Sequence, residues 1–230
     1  MKNYKHITDI FFDLDHTLWD FDKNSEMAFK TIFENDFPEI EIQDFMKVYV
    51  PINQVVWKLY QKDEITSNQL RYMRLKQSFD AINIDISDHQ IENIAEKYIK
   101  LLPENNHLFE GTIEILDYLR QKYTLHIITN GFANVQDKKL NNSNIRKYFE
   151  TITNSDNAGA KKPNPIIYDY SLNMANAKKE TSIMIGDCLD ADINGALDFG
   201  IDAVFVNYHN IDVDENINQI KKLSELKNYF

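Results

Sequence analysis

A single cysteine, Cys188, stands in a chain of 230 residues, so no intrachain disulfide can form. So little cysteine suits a reducing compartment, and a cytoplasmic location is expected. Glycine is scarce too: the six glycines all lie between Gly111 and Gly200, and the first 110 residues have none. No apolar run approaches the roughly 20 residues needed to cross a bilayer. The apolar stretch near the N-terminus is short and broken by Asp9, unlike a secretory signal. Positive charge is also in deficit, with 25 Lys and Arg against 36 Asp and Glu, a formal net charge of −11. A field of that sign argues against nucleic acid polymers and anionic membranes as partners. It leaves room for a small anion, because a bound cation and one or two lysines can reverse the potential inside a pocket.

What the chain does contain is ordinary for a globular protein, 43% hydrophobic and 27% charged residues, over a length sufficient for a full core and a smaller second unit. Strand-like apolar runs occur at Ile7–Phe12, Leu125–Thr129, Thr151–Thr153, Ser182–Ile185 and Ala203–Val206. Helical patterns such as Ile113–Leu119 and Ile166–Met174 fill the gaps between the later runs. Strands alternating with helices predict an α/β fold with a doubly wound parallel sheet, buried on both faces. Between Trp19 and Leu102 the pattern changes to helical spacing throughout, as in Ile91, Ile94, Ala95, Tyr98 and Leu102. Thr66–Gln69 and Ser87–Gln90 read as capping boxes that open helices there. The expected organisation is an α/β core of residues 1–18 and 103–230, with a small helical domain of residues 19–102 inserted after the first strand. Ile217–Leu226 is expected to form a final amphipathic helix.

The candidate chemistry collects at strand ends, where ligands sit in open α/β sheets. The first strand ends in Asp13-Leu14-Asp15-His16-Thr17. The second ends in Thr129-Asn130-Gly131, a hydroxyl followed by backbone amides suited to an anion. After the third comes Lys162-Pro163, the proline placed to open a helix with the lysine at its mouth. The fourth ends in Gly186-Asp187, with Asp190 and Asp192 close behind. A D-x-D-x-T segment alone carries little weight; four such features in this order carry a great deal.

This set resembles the four motifs of the haloacid dehalogenase superfamily, from Ile7 to Thr17 and from Leu108 to Phe205, with the helical insertion where that superfamily places a cap. The resemblance implies a Rossmann-like core and a magnesium-dependent phosphatase. It implies Asp13 as nucleophile, Asp15 as acid and base, Thr129 and Lys162 as phosphate-holding catalytic groups with the Asn130 amide beside them, and Asp187 as metal ligand. Asp13 and the Asp15 carbonyl would complete the protein's share of the metal shell, and Asp192 falls on the second acidic position behind Asp187. His16 stands where many members have glycine; it either restricts the turn or faces solvent or the cap.

The mechanism implied is two in-line displacements through an aspartyl-phosphate on Asp13, with Asp15 protonating the leaving group and then deprotonating water. Asp15 is expected to keep its carboxyl free for that work. Dehalogenases of the superfamily lack this second aspartate, so its presence favours phosphoryl transfer. Phe11–Phe21, Asn53–Tyr60, Ile65–Arg74 and Thr129–Phe132 are further similar to the pyrimidine 5′-nucleotidase group, which implies a nucleoside monophosphate as substrate and Asn53, Trp57 and Arg74 as cap contacts, beside Thr66 and Gln69. Helical spacing by itself would put Trp57 in the cap's core and Arg74 on its surface. A phosphatase or mutase of sugar phosphates or phosphoglycolate would use the same core. A phosphate-binding or receiver-like signalling protein is the reading of another class, disfavoured because Asp156 lies too far beyond the third strand.

Overall fold

The computed structural model describes residues 4–230. The chain forms two compact units, Met1–Asp20 with His107–Phe230, and Phe21–Asn106. The first is built on six parallel strands, β1 (Asp9–Phe12), β2 (Thr124–Thr129), β3 (Thr151–Asn154), β4 (Ser182–Gly186), β5 (Asp202–Val206) and β6 (Gln219–Ile220), in the order β3-β2-β1-β4-β5-β6. Strands β1, β4 and β5 are mainly apolar without alternation, and all five residues of β4 are buried, as a sheet covered on both faces requires. Strand β1 lies in the middle, Phe12 pairing with Ile127 on one side and Ile185 on the other. Strand order reverses at β1, so the segment that leaves it opens onto the crevice where such sheets bind ligands.

The second unit is helical: α1 (Phe21–Asp36), α2 (Ile42–Gln61), α3 (Ser67–Ala81) and α4 (Asp88–Leu101). Both capping boxes are present, Thr66 with Gln69 opening α3 and Ser87 with Gln90 opening α4. The core is aromatic; Phe29 stacks on Tyr98 at 4.4 Å between ring centres and packs edge-on to Phe45 and Tyr49. Helices α5 (Thr112–Leu119), α6 (Ala133–Asn142), α7 (Ser155–Ala158), α8 (Pro165–Ala175) and α9 (Gly195–Phe199) return the chain to the sheet.

Two expectations are corrected. The tail is not an amphipathic helix: Gln219–Ile220 adds β6 to the sheet, and Leu223–Asn228 is a 3₁₀ turn. The apolar positions Ile220, Leu223 and Leu226 are buried as the spacing suggested. The edge of β5, however, carries backbone groups that need partners, and the tail supplies them through Phe205 N to Asn218 O at 2.8 Å and Asn207 N to Ile220 O at 2.8 Å. Nor does Pro163 open a helix. Pro165 takes the first helical position of α8, behind Asn164, whose side chain caps Ile166 N at 3.0 Å. Pro163 follows Lys162 through a cis peptide.

Candidate active site

Beyond Phe12 the chain turns back on itself. Leu18 N and Trp19 N both donate to Leu14 O, and His16 N donates to Trp19 O at 3.0 Å. The turn is tight enough to put His16 at φ +61°, a left-handed conformation that favours glycine and tolerates histidine at modest cost. Its effect is to divide the two aspartates. Asp13 is buried and faces the ends of β2 and β4, its N donating to Ile185 O at 2.9 Å. Asp15 is half-buried and faces α6.

Lys162 is the centre of the buried half. Its ammonium donates to Asp13 Oδ1 at 2.6 Å, Asp192 Oδ1 at 2.7 Å and Ile128 O at 2.7 Å, which uses all three of its protons. Asn130 aims it. The Asn130 side chain accepts from Lys162 N at 2.7 Å and donates to Lys162 O at 2.9 Å, so the end of β2 grips the lysine's main chain from both sides. Burial works to lower the Lys162 ammonium, but Asp13 and Asp192 outweigh it and hold it above the ordinary lysine value. It stays charged.

Asp192 sits in a π-helical turn, Leu189–Asn194, and is buried, whereas Asp190 is exposed. That decides which of the two acids belongs to the site. Asp192 Oδ2 accepts from Cys188 N at 3.0 Å. A Cβ on Gly186 would lie 2.3 Å from Asp192 Oδ2, so the glycine at the end of β4 is room for this carboxylate. Asp187 accepts from Thr17 Oγ1 at 2.9 Å, which ties the fourth strand end to the first. Cys188 is held inert, its thiol pushed up to about 12 by burial and by Asp192.

Oxygens of Asp13, Asp187 and Asp192 lie within 4.8 Å of one another. Burial lifts Asp13 well above the usual carboxylate range, with Lys162 opposing and Asp192 and Asp187 adding to it. Burial also pushes Asp187 up to about 8, aided by Asp192 and opposed by the Thr17 hydrogen bond. With all three ionised, the carboxylates would exceed the one ammonium by two negative charges, a repulsion that the raised Asp13 and Asp187 reflect and that a divalent cation would relieve by displacing their protons. The donors are hard oxygens gathered within 4.8 Å, the kind that magnesium takes. The residues therefore fit such an ion.

The other half of the site was not legible as chemistry in the sequence. Asp15 Oδ1 accepts from Lys139 Nζ at 2.6 Å, and Oδ2 accepts from Gln136 Nε2 at 2.9 Å. Both Asp15 oxygens are thus held by side chains of α6, partners that the motif alone did not suggest. Gln136 Nε2 also donates to Thr129 Oγ1 at 2.7 Å, and Gly131 N donates to the same oxygen at 3.1 Å. With both acceptor sites filled, the Thr129 hydroxyl proton is left to donate outward. The signal available was Gln136-x-x-Lys139, two polar side chains three residues apart and hence on one helix face.

A model of the haloacid dehalogenase-like hydrolases matches residues 10–206. The chain belongs to that family. Among its relatives, the pyrimidine 5′-nucleotidase YjjG of Escherichia coli (strain K12) is 31% identical over 209 residues, 90% of this chain and 89% of the relative. The pyrimidine 5′-nucleotidase PynA of Streptococcus pneumoniae is 30% identical over 222 residues, 96% and 91% of the two chains. The crystal structure of the HAD-hydrolase YfnB from Bacillus subtilis, bound to magnesium, superposes with a TM-score of 0.86 at 27% identity, covering 99% of this chain and 98% of that one.

The hydrolase's helical unit holds the remaining candidates. Arg74 and Asn53 are buried, Arg74 Nη1 donating to Asn53 Oδ1 at 3.3 Å while the guanidinium lies 4.9 Å from the centre of the Tyr98 ring. The surface position that spacing suggested for Arg74 is therefore wrong. Trp57 is half-buried, edge-on to Tyr60 at 5.5 Å. Thr66 and Gln69 spend their side chains on each other's backbone at the start of α3. Among the described residues no helix is long and apolar enough to cross a membrane.

Proposed function

We propose that this hydrolase is a magnesium-dependent phosphatase that works through an aspartyl-phosphate on Asp13, with nucleoside 5′-monophosphates as substrates. The observation that carries the reading is Lys162 bridging Asp13 and Asp192 at the edge of the sheet, with Asp187 completing an acidic cluster that lacks a dication's worth of charge. Asp13, Asp187 and the Asp15 carbonyl would hold the magnesium, with Asp192 behind them. When bound, the ion would neutralise phosphate oxygens and keep Asp13 ionised.

The Asp13 carboxylate attacks phosphorus in line, and the ester P–O bond breaks toward the leaving oxygen, which takes its proton from Asp15. Water then attacks the same phosphorus, its proton passes to Asp15, and the P–O bond to Asp13 breaks and restores the carboxylate. The Thr129 hydroxyl and the Asn130 amide hold the equatorial oxygens where charge develops, and the Lys162 ammonium joins them by exchanging one of its three present acceptors for a phosphate oxygen. Lys139 and Gln136 each take one oxygen of Asp15 and leave lone pairs free for the water's proton.

The unit Phe21–Asn106 is the proposed cap, and Asn53, Trp57 and Arg74 its substrate contacts. Arg74 supports this: among the described residues it has no carboxylate in ion-pair reach, and its Nε is buried without a partner. A buried guanidinium with only neutral partners is costly, and a nucleobase carbonyl would complete it. The two nucleotidase relatives support the same substrate class. A panel of phosphate esters, assayed with and without magnesium, tests the proposal. UMP, dUMP and dTMP are expected to lead, and sugar phosphates outpacing them by a wide margin would overturn the nucleotidase reading while leaving the phosphatase intact.

A further inference from the structure

Gln136 and Lys139 stand one turn apart on α6, are 1% and 2% exposed, and have no part in the reaction as described above. Each takes a different oxygen of Asp15, Lys139 at 2.6 Å and Gln136 at 2.9 Å. A carboxylate held by one donor can still turn about its own axis; one held through both oxygens cannot. Four lone-pair directions are available to an ionised carboxyl and the two donors occupy two of them, so each oxygen can still accept a proton. Behind Asp15, the Lys139 ammonium lies 4.4 Å from the centre of the Trp19 ring, and Trp19 Nε1 donates to Ser143 Oγ at 3.2 Å. The lysine is thus fixed by the same turn that carries Asp15.

We propose that Gln136 and Lys139 are positioning residues that hold Asp15 as the base of the hydrolysis step, Gln136 fixing the Thr129 hydroxyl with the same amide nitrogen. The proposal rests on the phosphatase reading. In that step the water oxygen bonds to phosphorus, the P–O bond to Asp13 breaks with its electron pair returning to the carboxylate, and the water proton goes to Asp15. Packing does not account for the pair. Apolar side chains would fill the space without desolvating an ammonium, and the placement leaves Gln136 Oε1 buried with no partner. The chain also makes room for it: a Cβ on Gly131 would lie 2.4 Å from Gln136 Nε2.

Rapid-quench kinetics with p-nitrophenyl phosphate tests this, because nitrophenolate leaves without a proton. Lys139→Met should form the phosphoenzyme at close to the normal rate and hydrolyse it on the order of tenfold or more slowly, so that a burst of nitrophenolate appears; Gln136→Leu, which also frees Thr129, should slow formation somewhat and hydrolysis more, and still show the burst. Lys139→Arg should restore most of the hydrolysis rate. Gly131→Ala, which displaces Gln136 and removes no hydrogen-bonding group, should give the same burst. Equal slowing of both steps, or no slowing of either, in variants with normal melting curves would overturn the proposal. Asp13→Asn and Asp15→Asn are the controls on the reading beneath it. If Asp13→Asn still turns over, the phosphatase mechanism itself fails; if Asp15→Asn hydrolyses its phosphoenzyme normally, Asp15 is not the base and the positioning proposal falls with it.

Discussion

Two buried lysines serve two aspartates that are two residues apart in sequence, and they do so in opposite ways. Lys162 has three acceptors, two of them carboxylates, and sits where water is excluded. Lys139 has Asp15, a carboxylate whose side chain is 21% exposed, and the face of an indole. The first is a fixed charge in a net-negative pocket. The second holds a group that the proposed mechanism uses to exchange protons with water. The chain turns back on itself from Leu14 to Trp19, and the two aspartates of one five-residue motif meet different neighbours.

The sharpest break of this contrast is at the aspartates. Asp13→Asn should abolish turnover, a loss on the order of 10⁴-fold or more in steady-state phosphate release, while circular dichroism stays unchanged. Next come the lysines. Lys162→Met leaves two buried carboxylates facing each other and should cost about 3–5 kcal/mol in urea unfolding. Lys139→Met leaves only a half-buried carboxylate with water in reach and should cost about 1 kcal/mol. Equal losses would erase the difference drawn between them.

Smaller still is the effect of pH. Asp187 is pushed up to about 8 in the folded state, so between the unfolded carboxylate range and that value the native protein binds more protons than the unfolded chain. Metal-free protein should therefore lose stability as pH rises from about 4 toward 8. Magnesium should reverse the trend, raising the melting temperature more at pH 8 than at pH 5; a larger rise at pH 5 would contradict the cluster's role. Least of all, His16→Gly relieves the left-handed strain but frees the unfolded chain, and should shift stability by less than about 1 kcal/mol with kcat unchanged.

The strand ends were readable because a parallel sheet buried on both faces writes itself as short, mainly apolar runs. Asp13 and Asp187 follow theirs directly and Thr129 closes its own, whereas Lys162, eight residues past β3, was marked only by the proline behind it. Gln136 and Lys139 were not readable, because a helix face records which residues point inward and not what they meet. Arg74 misled for a related reason: a charged residue on a helix reads as surface, and the Tyr98 ring and Asn53 that meet it inside are not visible in the sequence. The tail failed for want of a neighbour. Its apolar spacing suited a helix, and the open edge of β5 outbid it.

The grip of Asn130 on Lys162 has a consequence for how this part of the chain can vary. The lysine lies eight residues beyond the end of β3, with α7 and Gly159 between, a stretch that would ordinarily transmit every change in its length to the residue at its end. Because the main chain of Lys162 is bonded to the end of β2 through both N and O, its position is referred to the sheet and not to the loop. Residues 155–161 are thereby released from holding the ammonium in place. A one- or two-residue insertion at Gly159, where no heavy atom lies within 4 Å of a would-be Cβ, should leave the ammonium on Asp13. The site is registered like a jig clamped to the frame, and the slack is in the cable that leads to it.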